Sequence, residues 1–161
     1  MHSVLIVVFD GLQSSQVTPE LMPNLAGFVT NGVRFTNHHS VYPTVTRVNA
    51  ASMVTGRSPG GHGIAANTMM FRDLKPDKVT PVLQPQLAEF AARGVPILTA
   101  PTLADTLARS GQEYIAIGVG TSGNAYVHNP RADVSGGATI HPEFTLPISL
   151  QSELEARFGP W

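Results

Sequence analysis

Cysteine is absent from the sequence, which excludes disulfides, thiolate metal sites and a cysteine nucleophile. Such a composition suits a reducing compartment. Neither charge is in excess: ten Lys+Arg stand against eleven Asp+Glu, a formal net charge of −1. That balance offers no basic face for nucleic acid and no polybasic patch for anionic lipid. Long apolar runs are missing too. The run Val4–Phe9 has six residues and no lysine or arginine before it. A signal peptide needs a basic start and a longer apolar stretch, and a membrane-spanning helix needs about 20 apolar residues. The expectation is a cytoplasmic chain with no membrane partner. Charged residues make up only 13% and hydrophobic ones 42%, which argues for a packed core rather than disorder. A length of 161 residues corresponds to one domain at roughly 100–200 residues each.

Strand and helix signals alternate along the chain. Ser3–Phe9, "SVLIVVF", is continuously apolar and β-branched, the pattern of an interior strand in a parallel sheet. It ends in Asp10-Gly11, at the carboxyl edge where open α/β sheets bind ligands. Pro23–Thr30 has helical spacing and stops at Asn31-Gly32. Val33–Thr36 reads as a short strand and Pro85–Arg93 as a helix before Gly94. Thr102 to Asp105 forms a capping-box pattern for a helix ending at Ser110-Gly111. Tyr114–Val119, "YIAIGV", is a second buried-type strand, Thr121–Gly137 reads as loop, and Pro147–Phe158 is an amphipathic helix. The pattern predicts an α/β fold with a mainly parallel central sheet flanked by helices.

Polar chemistry is concentrated in "HHSVYPTVTRVNAASMVTGRSPGGHG", His38 to Gly63. Arg47–Val54 is helix-compatible and Gly56 closes it, so Thr46 is a natural N-cap. An oxygen there meets unpaired N–H groups and the positive end of the helix dipole, which favours an alkoxide and binds phosphate. Simple capping is the commoner role for such a threonine, and Thr44 is an equally available hydroxyl. Asp10 suits a turn, or a hard oxygen ligand for a metal that lowers the threonine's pKa. Asn67 suits a turn after a Gly-rich bend, or an amide donor to developing phosphoryl charge.

Taken in order, "VLIVVFDGL" followed by "MPNLAGFVTNGVRFTNHHSVYPTVTRVNAASMVTGRSPGGHGIAANTM" resembles the nucleotide pyrophosphatase/phosphodiesterase branch of the alkaline phosphatase superfamily. The resemblance runs from the first predicted strand to about Val127. It implies an alkaline-phosphatase-like fold and a site with two divalent metal ions, usually zinc. It implies Thr46 as nucleophile, with Asn49 fixing the register, and a covalent phospho-threonine intermediate that water hydrolyses. It implies Asp10 as a ligand to one metal, with the Thr46 oxygen as a second ligand, and Asn67 as the contact to a phosphoryl oxygen. His62 belongs to the motif without being a ligand, and a structural role is expected. The partner implied is a phosphorylated small molecule, nucleotides among the candidates.

Departures from the family's pattern accompany the match. "DGLQSSQ" stands where relatives often have "DGxRPD", and Arg47-Val48 stands where many have Phe-Pro. Arg47 could reach a phosphate or a substrate carboxylate; the favoured expectation is that it points to solvent. The family's further ligands are an Asp-x-x-x-His pair, an adjacent Asp-His and a later His. No Asp here is followed by His at either spacing. A catalytic zinc normally has three protein ligands. The expectation is that residues 1–161 are the N-terminal part of one catalytic domain, inactive by themselves. His38 and His39 are expected to pack or hydrogen-bond at a sheet end. Phosphonate cleavage by a relative, or a non-catalytic module binding a phosphorylated ligand, are the alternative functions. A sulfatase is disfavoured, because those relatives modify a Cys or Ser where this chain has Thr.

Overall fold

The computed structural model describes residues 3–118 and 120–160, in two compact units that meet in sequence at His39 and Ser40. In the first unit the chain turns at Asp10-Gly11, where Gly11 has φ +80° and the Leu12 N–H donates to the Phe9 carbonyl at 3.2 Å. Helix α1 covers Pro23–Thr30. Pro23 takes the first position, where a missing N–H costs nothing, and the Asn31 and Gly32 N–H groups close the end by donating to the Phe28 and Val29 carbonyls.

The predicted strand over residues 3–9 does not form. Val4 to Phe9 carry no ladder, and their side chains are 55–87% exposed. A strand is stabilised by its neighbour's backbone groups and side chains, and no neighbour pairs with this run among the described residues. The short strand expected at Val33–Thr36 is absent for the same reason.

The second unit opens with α2, Thr46–Thr55, and the single turn α3, Pro59–His62. Strands β1, Thr68–Met70, and β2, Val79–Pro81, form an antiparallel pair with Met69 opposite Thr80. Helix α4 follows at Gln84–Ala92, close to its expected bounds. Helix α5 covers Leu103–Ala108 behind a complete capping box: Asp105 N donates to the Thr102 hydroxyl and Thr102 N to the Asp105 carboxylate. Strand β3 is Ile115–Ile117; Val119, the end of the predicted strand, lies outside the described residues. Ala116 is buried while Ile115 and Ile117 are exposed, so β3 covers one face instead of the two expected.

The expected loop over Thr121–Gly137 instead contains α6, Ser122–His128, and α7, Ala132–Ser135. Strands β4, Ala138–His141, and β5, Phe144–Leu146, then lead into α8, Ile148–Phe158. The order β3-β4-β5 has one parallel and one antiparallel pairing. Among the described residues the fold is therefore mixed α/β, with one sheet of two strands and one of three. Among the described residues no helix is long and apolar enough to cross a membrane.

The core joins Val48 and Ala51 of α2 to Ile64, Val82, Leu87 and Val127. Helix α6 packs against α2, α4 and β4. Glycine is required at one point of that packing. A Cβ on Gly123 would overlap the Val82 carbonyl, so a bare Cα lets α6 approach the segment that feeds α4. Gly123, part of the composition that resembled a loop, is what this close approach needs.

Candidate functional site

Thr46 is the first helical residue of α2, and Val45, not Thr46, is the N-cap, with φ −107° and ψ 152°. Val45 offers no side-chain oxygen, and Asn67 supplies the missing acceptor from 20 residues downstream. Its Oδ1 accepts the Arg47 N–H at 3.2 Å. Four N–H groups at a helix start have no intrahelical acceptor. One of the four is thereby satisfied by a side chain that the sequence suggested for phosphoryl contact. A backbone N–H can only donate, so the atom facing it is the Asn67 oxygen. The Asn67 NH₂ is left to donate elsewhere. Thr46 and Asn67 thus meet at one helix end, each half-buried, while Thr44 is exposed.

Asn49 holds the chain that leads into this end. Its Oδ1 accepts the Val41 N–H at 2.9 Å, and its Nδ2 faces the carbonyls of Val45 at 3.1 Å, Val41 at 3.4 Å and Pro43 at 3.5 Å. The sequence used Asn49 only to count register; its work is to clamp residues 41–45. A polar residue on the second turn of a helix, four after an apolar N-cap, is the signal for such back-bonding.

His62 is fully buried. Its Nδ1 faces the Ile64 N–H at 3.2 Å and its Nε2 lies 2.9 Å from the Ser52 hydroxyl. The Ile64 amide fixes Nδ1 as the unprotonated nitrogen, so the neutral ring carries its proton on Nε2 and donates to Ser52. Burial pushes its pKa down. Both nitrogens are engaged, and Nε2 braces α3 against α2 through Ser52, the structural role expected. His141 is braced similarly by Glu143 N and the Gly120 carbonyl. His128 pairs with the Tyr114 hydroxyl at 3.0 Å, with its pKa pushed down by burial. His38 and His39 are exposed, with His39 Nε2 2.7 Å from Asn37 Oδ1.

Arg47 corrects an expectation. It is 6% exposed, turned inward with Ala51 and Val54 on the packed side of α2. A helix that buries this stripe cannot send the side chain out to water. Asp10 lies on the turn after residues 3–9, exposed, in the first unit. Among the described residues no group of three or more His, Cys, Asp or Glu is arranged to hold a metal ion. A concavity of about 680 Å³ lies elsewhere in the second unit, lined by residues including Val95, Leu98, Arg109 and Tyr126.

The sequence profile of type I phosphodiesterase / nucleotide pyrophosphatase matches residues 4–160. The chain belongs to this family. Curated relatives are similar over a shorter stretch. The bis(5'-adenosyl)-triphosphatase enpp4 of Xenopus laevis is 38% identical over 72 residues, 45% of this chain and 16% of the relative. The Mus musculus protein of the same name is 36% identical over 66 residues, 41% of this chain and 14% of the relative. The human one gives 36% over 66 residues, 41% and 15%. The match thus spans less than a fifth of these relatives' length. No solved structure matches the chain significantly.

Proposed function

We propose that the protein is a hydrolase of phosphoric ester or anhydride bonds and that Thr46 is its nucleophile. The observation that carries this reading is the Asn67 side chain seated on the first turn of α2, beside the threonine that begins the helix. The Thr46 hydroxyl attacks phosphorus, forming a P–O bond as its proton passes to solvent, and the bond from phosphorus to the leaving group breaks with its electron pair going to that group. Water then attacks the same phosphorus and releases Thr46. The Asn67 NH₂ donates to the non-bridging oxygen on which charge develops. First-turn amides and the helix dipole favour that charge without reorganisation.

The reading includes two divalent metal ions, zinc by resemblance, with Asp10 and the Thr46 oxygen as ligands. Both offer hard oxygen donors, but the described residues do not complete a three-ligand site. The mainly parallel sheet also belongs to this reading: Val4–Phe9 has the composition of an interior strand, and β3–β4 is a parallel pair.

The relatives' name makes a dinucleoside triphosphate the substrate class to try first. The test compares Thr46→Ala with Thr44→Ala in the full protein, on that substrate and on a chromogenic aryl phosphodiester. Hydrolysis lost at position 46 and kept at 44 supports the assignment, and the reverse refutes it.

A further inference from the structure

Arg47 remains once Thr46, Asn67 and His62 have been given their roles. It is 6% exposed, and its Nε is buried with no hydrogen-bond partner among the described residues. The three ion pairs found among those residues use Lys75, Arg93 and Arg131. Burial pushes the Arg47 pKa down, yet a guanidinium stays protonated in proteins. The charge is therefore permanent, largely removed from water and unmatched among the described residues. Holding a single charge that way is unfavourable unless a partner is supplied. An arginine on a helix ordinarily escapes the cost by extending its head into solvent. This one sits on the packed stripe with Ala51 and Val54.

Position on the helix says where the head goes. Every Cα–Cβ bond of an α-helix tilts toward its N-terminus, so a side chain covers the turn before its own Cα. Arg47 is the second residue of α2, and the turn before it is the helix end where Asn67 is bound. A desolvated guanidinium there adds to the positive end of the dipole. An oxyanion is attracted to such a place. Arginine also presents planar N–H pairs that match phosphate oxygens.

We infer that Arg47 is a second anchor for the substrate's phosphoryl oxyanion, donating N–H groups to it beside the Asn67 amide. The inference rests on the reading of Thr46 as the phosphoryl acceptor. It also accounts for a chain that carries Arg-Val after its nucleophile where many relatives carry Phe-Pro. The charge unmatched in the protein alone is matched when the ligand arrives.

The test is an NMR titration of the full protein, labelled with ¹⁵N-arginine and ¹⁵N-asparagine, with inorganic phosphate. Loss of one peak in Arg47→Lys assigns the Arg47 Nε–H signal. Should that variant not fold, through-bond correlation from the Arg47 amide assigns it in the wild type. The expected result is a saturable shift of Arg47 Nε–H over the same phosphate range that moves the Asn67 side-chain NH₂. Arg47→Lys should weaken phosphate binding by roughly 10- to 100-fold, the range for losing a charge-assisted hydrogen bond. If the Asn67 NH₂ moves while Arg47 Nε–H stays still, as it would if a protein carboxylate already held the arginine, the inference is overturned and the phosphoryl site stands. If neither moves, both fall.

Discussion

Two substitutions at Asn67 separate its structural work from the chemical work proposed for it. Its Oδ1 takes the Arg47 N–H at 3.2 Å, and its NH₂ is assigned to the substrate. Asn67→Ala removes both. Loss of a side-chain acceptor at a helix start costs about 1 kcal/mol, within a range of roughly 0.5–2. For a chain of this size that lowers the melting temperature by about 2–4 °C per kcal/mol. Loss of one oxyanion donor costs about 10²–10³ in kcat. Asn67→Asp keeps an oxygen facing Arg47 N–H and adds a negative charge at a helix N-terminus, worth about 0.3–1 kcal/mol in favour. The same change replaces the donor with a carboxylate that repels a phosphoryl group. Asn67→Asp should therefore melt at or above the wild-type temperature while losing at least as much activity as Asn67→Ala. Thermal unfolding by circular dichroism and steady-state hydrolysis of an aryl phosphodiester measure the two effects. An Asn67→Asp protein with wild-type turnover would refute the donor role. One that melts as low as Asn67→Ala would refute the capping role.

Other outcomes follow from the packing. His62 and His128 have pKa values pushed below the usual range by burial. The unfolded chain, titrating at about 6.5, takes up protons that the folded one refuses. Stability should then be constant above that pH and fall as pH drops from it toward the folded values. Urea midpoints at pH 7.5 and 5.5 measure this, and a midpoint that rises on acidification would contradict the assigned cause. Gly123→Ala places a methyl on the Val82 carbonyl and should destabilise by about 1–3 kcal/mol. Gly60→Ala meets nothing within 4 Å and serves as the neutral control in the same denaturant titration.

Helices were legible where caps and periodicity agreed: α1 behind Pro23, α4 behind Pro85, α5 behind its Thr102–Asp105 box and α8 all fall close to the expected bounds. Helix α6 was illegible because its small residues answer to Val82, a contact 41 residues back in the chain. Strands fared worse. A β-branched run states a preference for burial between neighbours without naming them, so Val4–Phe9 reads as an interior strand and forms no ladder here. At the site, the motif spacing singled out Thr46, which begins α2, and Asn67, whose side chain bonds the first turn of that helix. It could not show that Asn67 itself caps that helix, because the capping residue lies far along the chain. Nor could it orient Arg47, since the face of α2 that is buried depends on α6, the helix that the sequence hid.

A covalent bond between Thr46 and phosphorus can be looked for in the protein itself. The full protein is mixed with excess substrate, acid-quenched within the first turnovers, digested and mapped by mass spectrometry. The account predicts a phosphoryl or nucleotidyl adduct on the peptide containing "PTVTRVN", with fragment ions placing it on Thr46 and none on Thr44. It also predicts that the adduct disappears in Thr46→Ala. An adduct on Thr44, or rapid turnover in the Thr46→Ala protein, would contradict the account.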